Sequence, residues 1–540
     1  MKNRAYPLLS IIILFLTFFF FLFLGKVNLY DWDEANFAEI AREMILTKNY
    51  LQPQITYLPF YEKPPVFIWM QVASMKLFGI NEFAARFPNA CLGIIVAITL
   101  FLIGRKERDW KFGFIWLMCY MGSFLPFLYF RTGLIDPWFN YFMFLSLYFY
   151  KCAVDSEQWS DKIKSNWIFL ALSALMLGLA VQTKGPAAMI IVYGTLGILW
   201  IISRFKFYLG FWKSIAWFIF SLIFSCIWFY VETKAHGDNY IKEFITYQIR
   251  LFTTEDATHG GPFYYHLIVL LIGCFPASFV LLFKTNWKEN WKDDWFKIMS
   301  ICGLFVLILF SIVQTKIIHY SSMAYFPISY IAAIAIYSSS FWNEKWLKRI
   351  LSIIFFFLII AMILLPIFGK NIETILPYIQ DTQAKLQLGT NVDWDYWEML
   401  IGLLVLGIFL VLRYYFDNKL YPYFISTTIL VFSMLLFFAP KIERYTQGTY
   451  IDFCKSLKGQ DIYIQTLFLK SYASLFYSDR QPFQNDSTKG HNWILEGDID
   501  KNAYIIYKSK DSVLYKYPKS DIRLNKTING FDIWYRKGGK

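Results

Sequence analysis

The sequence predicts an α-helical polytopic membrane protein with a small α/β domain at its C-terminal end. Three observations carry this prediction. Of 540 residues, 57% are hydrophobic and 21% aromatic, while only 17% are charged. Apolar runs of membrane-crossing length recur as far as about residue 440. From about 441 the runs shorten, and polar residues, Gly and Lys become common.

The first run, Tyr6 to Val27, is almost pure Phe, Leu and Ile. It lacks a small-residue cleavage site and is too long for a signal-peptide core, so it reads as a retained anchor. Further runs lie near 87–104, 113–130, 138–152, 167–183, 186–203, 214–231, 264–283, 298–315, 318–340, 350–368, 397–416 and 421–439. Together they give about thirteen spans of roughly 20 residues each. The net charge of +13 is dispersed through alternate loops rather than gathered in one soluble patch, which argues against a nucleic-acid partner. Lys2 and Arg4 open the series, followed by Arg105 to Lys111, Lys162 and Lys164, Arg204 to Lys213, Lys284 to Lys297, and Lys345 to Arg349. This pattern puts the N-terminus in the cytoplasm, and an odd span count puts the tail outside. The seven cysteines show no metal-ligand spacing and predict no disulfide framework.

The chemistry is expected in the outer loops. The first, 28–86, begins with Asp31-Trp32-Asp33-Glu34, three acids in four residues where the chain leaves the membrane. Carboxylates beside a membrane surface cost solvation, so their crowding suits a site that steers a proton, a metal or a cationic sugar. Glu34 to Thr47 reads as a helix in the interface plane, with Phe37, Ile40 and Met44 at helical spacing. Glu62-Lys63-Pro64-Pro65 follows; its prolines fix the backbone and present a rigid acidic–basic pair. Later outer loops hold Arg131 to Pro137, Thr183-Lys184-Gly185-Pro186, a 232–263 segment with His259, and Thr315-Lys316 before His319-Tyr320.

Several of these residues have plain structural readings. Asp33 is placed to cap a helix with Asn36 three residues on, and Asp136-Pro137 is an ordinary helix start. A capping carboxylate can still turn an oxygen into a cleft. Lys184 and Lys316 sit at outer span ends, against the inside bias, either as snorkelling anchors or as point charges for a lipid phosphate. In the tail, Asp461 to Phe468 and Ala503 to Ser509 have strand character, with a helical pattern around Tyr472 to Tyr477. There is no Gly-rich phosphate loop and no dinucleotide fingerprint.

Asp33-Glu34, Ala38 to Met44, Phe60 to Pro65 and Leu77 to Pro88 resemble the first outer loop of the aminoarabinose transferase family. That family stands with the protein O-mannosyltransferase-like glycosyltransferases of GT-C fold. The likeness recurs at Arg131 to Pro137, Thr183 to Gly185, Thr253 to Tyr265 and Thr315-Lys316. It implies a GT-C catalytic membrane domain over 1–440 and a soluble extracytoplasmic α/β domain over 441–540. It implies an inverting transfer from a polyprenyl-phosphate-linked sugar to a lipid A-like, glycan or protein acceptor, on the outer face of the bacterial inner membrane. By the same resemblance Asp33 is the catalytic base and Asp136 a second acid near the sugar. Glu34, Lys63, Lys184, Lys316 and Tyr320 bind substrate, the three lysines clamping the donor phosphate. Glu62 and His259 match positions that hold a divalent metal, zinc or magnesium, and no nucleotide cofactor is implied. His319 departs from the pattern, because relatives often have Pro before the tyrosine.

The competing function is a lipid-sugar flippase or transporter, which polytopy alone would fit. Transporters place their sites near the midplane, often with repeat symmetry. Here the ionisable clusters lie in outer loops and no repeat is apparent, which favours the enzyme.

Overall fold

The computed structural model describes residues 5–158, 163–205, 208–254, 260–283, 287–338, 345–416, 420–467, 471–482, 491–509 and 522–539. Helices form in all thirteen apolar stretches, but only seven among the described residues have full crossing length and apolarity. These are Glu82–Glu107, Asn166–Lys184, Phe211–His236, Asp294–Ile312, Lys345–Lys370, Tyr396–Tyr415 and Tyr421–Ser456. The other six are shorter, broken or more polar. Ala5–Phe21 and Ala187–Ile202 are short. The 113–130 stretch divides into Trp110–Met121 and Phe124–Tyr129, and 264–283 into Tyr265–Gly273 and Ala277–Phe283. Ile318–Ala324 is a 3-10 turn that precedes Tyr325–Tyr337, and Asp136–Gln158 carries polar residues towards its C-terminal end. Aromatic side chains fill the space between helices, as where Phe144 stacks on Phe326 at 4.3 Å.

The first loop forms its expected helix, packed against the tail. Its helix, Asp33–Thr47, is buried from Glu34 through Met44, charged residues included. The reason is that the tail covers its polar side. Arg42 pairs with Glu39 at 2.7 Å and donates to the Arg480 carbonyl at 2.8 Å. Asn36 accepts from the Tyr472 amide, and the Tyr477 hydroxyl accepts from the Leu29 amide. Apolar residues of helix and tail, among them Phe37, Ile40, Tyr450 and Phe476, share one core.

The last long helix runs without a break from Tyr421 to Ser456, through two π-helical segments, so it crosses the boundary expected at 440–441. The tail sheet then begins at Tyr463. Its strand order is Tyr463–Thr466, Ala503–Lys508, Phe531–Arg536, Ile522–Ile528, with the first pair parallel and the others antiparallel. Opposing Ile506 and Ile533 are both buried, which fixes which face turns to the core.

Candidate active site

Asp33 is the first residue of its helix, and the residue in the capping position is Trp32, which makes no side-chain cap. The capping reading of Asp33 therefore fails, and its carboxylate turns into a cavity of about 360 Å³. The walls include Asp31, Asp33, Glu62, Lys63, Lys184, Tyr247, His319 and Tyr320. These residues come from four outer segments and from the helix Asn239–Thr253, which carries Tyr247.

Asp136 and Lys184 close one end of a helical hairpin. Asp136 opens the helix Asp136–Gln158, and Lys184 ends the helix Ile163–Lys184. Each charge suits the dipole of its own helix end. Lys184 Nζ lies 2.5 Å from Asp136 Oδ1 and 4.8 Å above the Tyr320 ring. Gly185 leaves the span at φ +121°, where a Cβ would strike Phe244. Lys63 sits over the Tyr247 ring at 4.8 Å, and its carbonyl accepts from the Tyr240 hydroxyl at 2.8 Å.

His319 joins the two acids. Its Nε2 is 3.4 Å from Asp33 Oδ2 and 3.6 Å from Asp136 Oδ2. Burial alone would raise the Asp33 carboxyl; the His319 hydrogen bond and charge, with Lys63 and Lys184, hold it below its ordinary value. Asp31, two residues away, behaves oppositely. Burial pushes it up to about 6, against the pull of Ser471 and Lys508 and with the help of Asp33. Neighbouring carboxyls with opposite shifts are suited to different roles, and Asp33 is the one held ionised.

Two expected site residues are placed differently, and a third lies outside the described residues. Glu34 touches the cavity, but its carboxylate is fully engaged as a strut. It takes a two-pronged bond from Arg86, both prongs 2.7 Å, and accepts from the amides of Tyr30 at 2.8 Å and Gly133 at 2.6 Å. Gly133 has to be small, since a Cβ there would sit 3.0 Å from Glu34 Cγ. Lys316 is buried away from the cavity wall, its Nζ donating to the carbonyls of Phe310, Ser311 and Val313. It caps the C-terminal end of Asp294–Ile312, as a cation there is expected to do. His259 lies outside the described residues; Glu62, its expected partner, lines the cavity. Among the described residues no group of three His, Cys, Asp or Glu side chains could hold a metal ion.

Two members of the site escaped sequence reasoning. His319 was legible only as a departure from a family pattern, and Tyr247 carried no signal beyond its place on an amphipathic helix.

Residues 62–230 match the family described as dolichyl-phosphate-mannose-protein mannosyltransferase. Among curated relatives, the undecaprenyl phosphate-alpha-4-amino-4-deoxy-L-arabinose arabinosyl transferase of Shewanella sediminis (strain HAW-EB3) is 27% identical over 387 residues, covering 68% of each chain. The transferase of the same name from Wigglesworthia glossinidia brevipalpis is 29% identical over 355 residues, covering 64% of this chain and 61% of its own. The crystal structure of ArnT from Cupriavidus metallidurans bound to undecaprenyl phosphate superposes with a TM-score of 0.73 at 16% identity, covering all of both chains. The oligosaccharyltransferase of Archaeoglobus fulgidus in its apo form reaches 0.52 at 11% identity, covering 95% of this chain and 71% of its own. The fold is the polytopic GT-C membrane fold, and the family resemblance seen in the sequence holds.

Proposed function

We infer that this chain is a GT-C glycosyltransferase that moves a sugar from a polyprenyl-phosphate donor to an envelope acceptor, with inversion at the anomeric carbon. The observation that carries this is Asp33, held ionised in a cavity that also presents Lys63 and Lys184. The loop charges support a cytoplasmic N-terminus with this cavity on the outer face.

Lys63 and Lys184 meet the donor phosphodiester. An acceptor hydroxyl lies against Asp33 and attacks the anomeric carbon from the side opposite the phosphate. The new C–O bond forms as the bond to phosphate oxygen breaks, and the hydroxyl proton passes to Asp33. The phosphate leaves carrying the negative charge, which the two ammonium groups stabilise. Tyr320 fixes Lys184 through its ring, and Asp136 anchors the same lysine from below. The relatives' names make undecaprenyl-phosphate-linked 4-amino-4-deoxy-L-arabinose the first donor to try, and the resemblance read in the sequence makes a lipid A-like acceptor the first to test. Glu62 offers a divalent cation one carboxylate at the cavity wall, fewer ligands among the described residues than a bound zinc requires.

The test is Asp33→Asn in purified full-length protein, supplied with undecaprenyl-phosphate-linked sugar. Transfer should fall by about 10²–10⁴-fold with donor binding retained. Transfer at the wild-type rate would falsify the mechanism. Mass spectrometry of envelope lipids with and without the gene then names sugar and acceptor.

A further inference from the structure

His319 has no part in the transfer just described, yet it stands at its centre. Its Nε2 faces the Oδ2 atoms of both Asp33 and Asp136. The Asp136 oxygen is buried and takes no hydrogen bond, while Oδ1 of the same carboxylate takes Lys184. Asp136 is 2% exposed and does not line the cavity; Asp33, His319 and Lys184 do. The buried acid therefore reaches the cavity only through the imidazole and the ammonium.

The charged and titratable groups around the imidazole are few. Asp33 faces it from the first-loop helix, Asp136 and Lys184 from the hairpin, and Tyr320 from its own segment. Lys63 acts on the same Asp33, and His266 and Lys316 stand behind. With a neutral imidazole, Asp33 and Asp136 are offset by Lys63 and Lys184, and the acids Asp31 and Glu62 line the same cavity. A phosphodiester brings one further negative charge into that low-dielectric cluster, where an uncompensated charge is costly. An imidazolium would offset it and give the bare Asp136 oxygen a charged donor. Histidine is the side chain whose ordinary titration lies in the physiological range.

Resting on the donor site proposed above, we propose that His319 is a positioning residue that takes up one proton from solvent when the donor phosphate binds. The proton offsets the added charge, leaves Asp33 ionised for the acceptor hydroxyl, and returns to solvent when the lipid phosphate departs.

The test is calorimetric titration of the full-length protein in detergent with undecaprenyl methyl phosphate. This diester keeps one fixed charge between about pH 5 and 8, the range in which histidine titrates. Two buffers of different ionisation enthalpy give the protons taken up. Wild-type protein should take up close to one proton per site at the upper end of that pH range. Affinity should strengthen as pH falls, by up to about tenfold per pH unit. His319→Gln should bind without uptake and with a flat profile, and Asp136→Asn, which keeps the imidazole, should reduce the uptake. Wild-type binding with no uptake in either buffer overturns the proposal, even if the glutamine variant fails to fold. Failure of wild-type protein to bind the diester at any pH instead removes the donor site, and the proton coupling with it.

Discussion

Replacing Glu34 by Ala separates a strut from a substrate ligand. The Glu34 and Arg86 side chains are 3% and 5% exposed, and two 2.7 Å bonds join them. Arg86 continues to the carbonyls of Leu24 at 3.1 Å, Val27 at 2.6 Å and Asn28 at 2.9 Å, so it ties the end of the first span to the first-loop helix. Removing the acid leaves a buried guanidinium without its counter-charge, a loss of about 3–5 kcal/mol. The amides of Tyr30 and Gly133 lose their acceptor as well, at about 1–3 kcal/mol each where water does not reach them. Thermal unfolding of the detergent-solubilised protein should therefore show a large drop for Glu34→Ala. A Glu34→Met, Arg86→Met pair should recover much of it, because two apolar side chains can fill the site without unpaired charge. Transfer should stay impaired in the pair, since Asp33 has lost the neighbour that fixes its helix start. The outcome that refutes this reasoning is an unchanged melting temperature in Glu34→Ala together with weakened diester binding. Glu34 would then be a ligand for substrate.

Lys316→Met should cost about 1 kcal/mol through loss of a helix-end cap and leave diester binding nearly intact. Lys63→Met should weaken that binding by tenfold or more, about 1.4 kcal/mol. Equal losses for the two variants would show that Lys316 leaves its helix end to meet the donor. Glu43 gives a pH signature. Burial, and then Glu39, push its carboxyl up to about 9 despite the Tyr57 amide bond and Arg42. The folded state therefore holds this proton more tightly than the unfolded chain. The resulting stability is complete below the unfolded value near 4.5, and it is lost progressively as pH rises towards about 9. Glu43→Gln keeps an acceptor for Tyr57 and should flatten that decline, which melting curves at pH 5, 7 and 9 would reveal. A parallel decline in wild type and variant would place the titrating group elsewhere.

The fold was legible where the signal is local. The apolar runs, the helix after Asp33 and the strands at 463 and 503 follow from composition and periodicity within a few residues. All thirteen apolar runs are helical, and among the described residues seven are continuous and apolar enough to cross by length and composition alone; hydropathy does not register continuity. Pro276 interrupts one run, having no amide to donate. The burial of Arg42 with its acidic neighbours Glu39 and Glu43 was not legible, since the tail partners of Arg42 lie more than four hundred residues away.

The candidate site divides along the same line. Asp33, Glu62, Lys63, Lys184 and Tyr320 line one cavity, and Asp136 lies just behind it. Glu34 and Lys316 carry equally suitable charges, but neighbours supplied by other helices use them up. By itself the sequence determined that the chain is a membrane protein, that its candidate acids and cations gather in loops between spans, and that a mixed domain follows. Those properties are sums over adjacent residues. Only the tertiary structure decided which of the charges remain available for chemistry. It set His319 between Asp33 and Asp136, spent Glu34 on Arg86 and turned Lys316 onto a helix end. A charge's role depends on the partner within about 4 Å, and helix packing chooses that partner from anywhere along the chain.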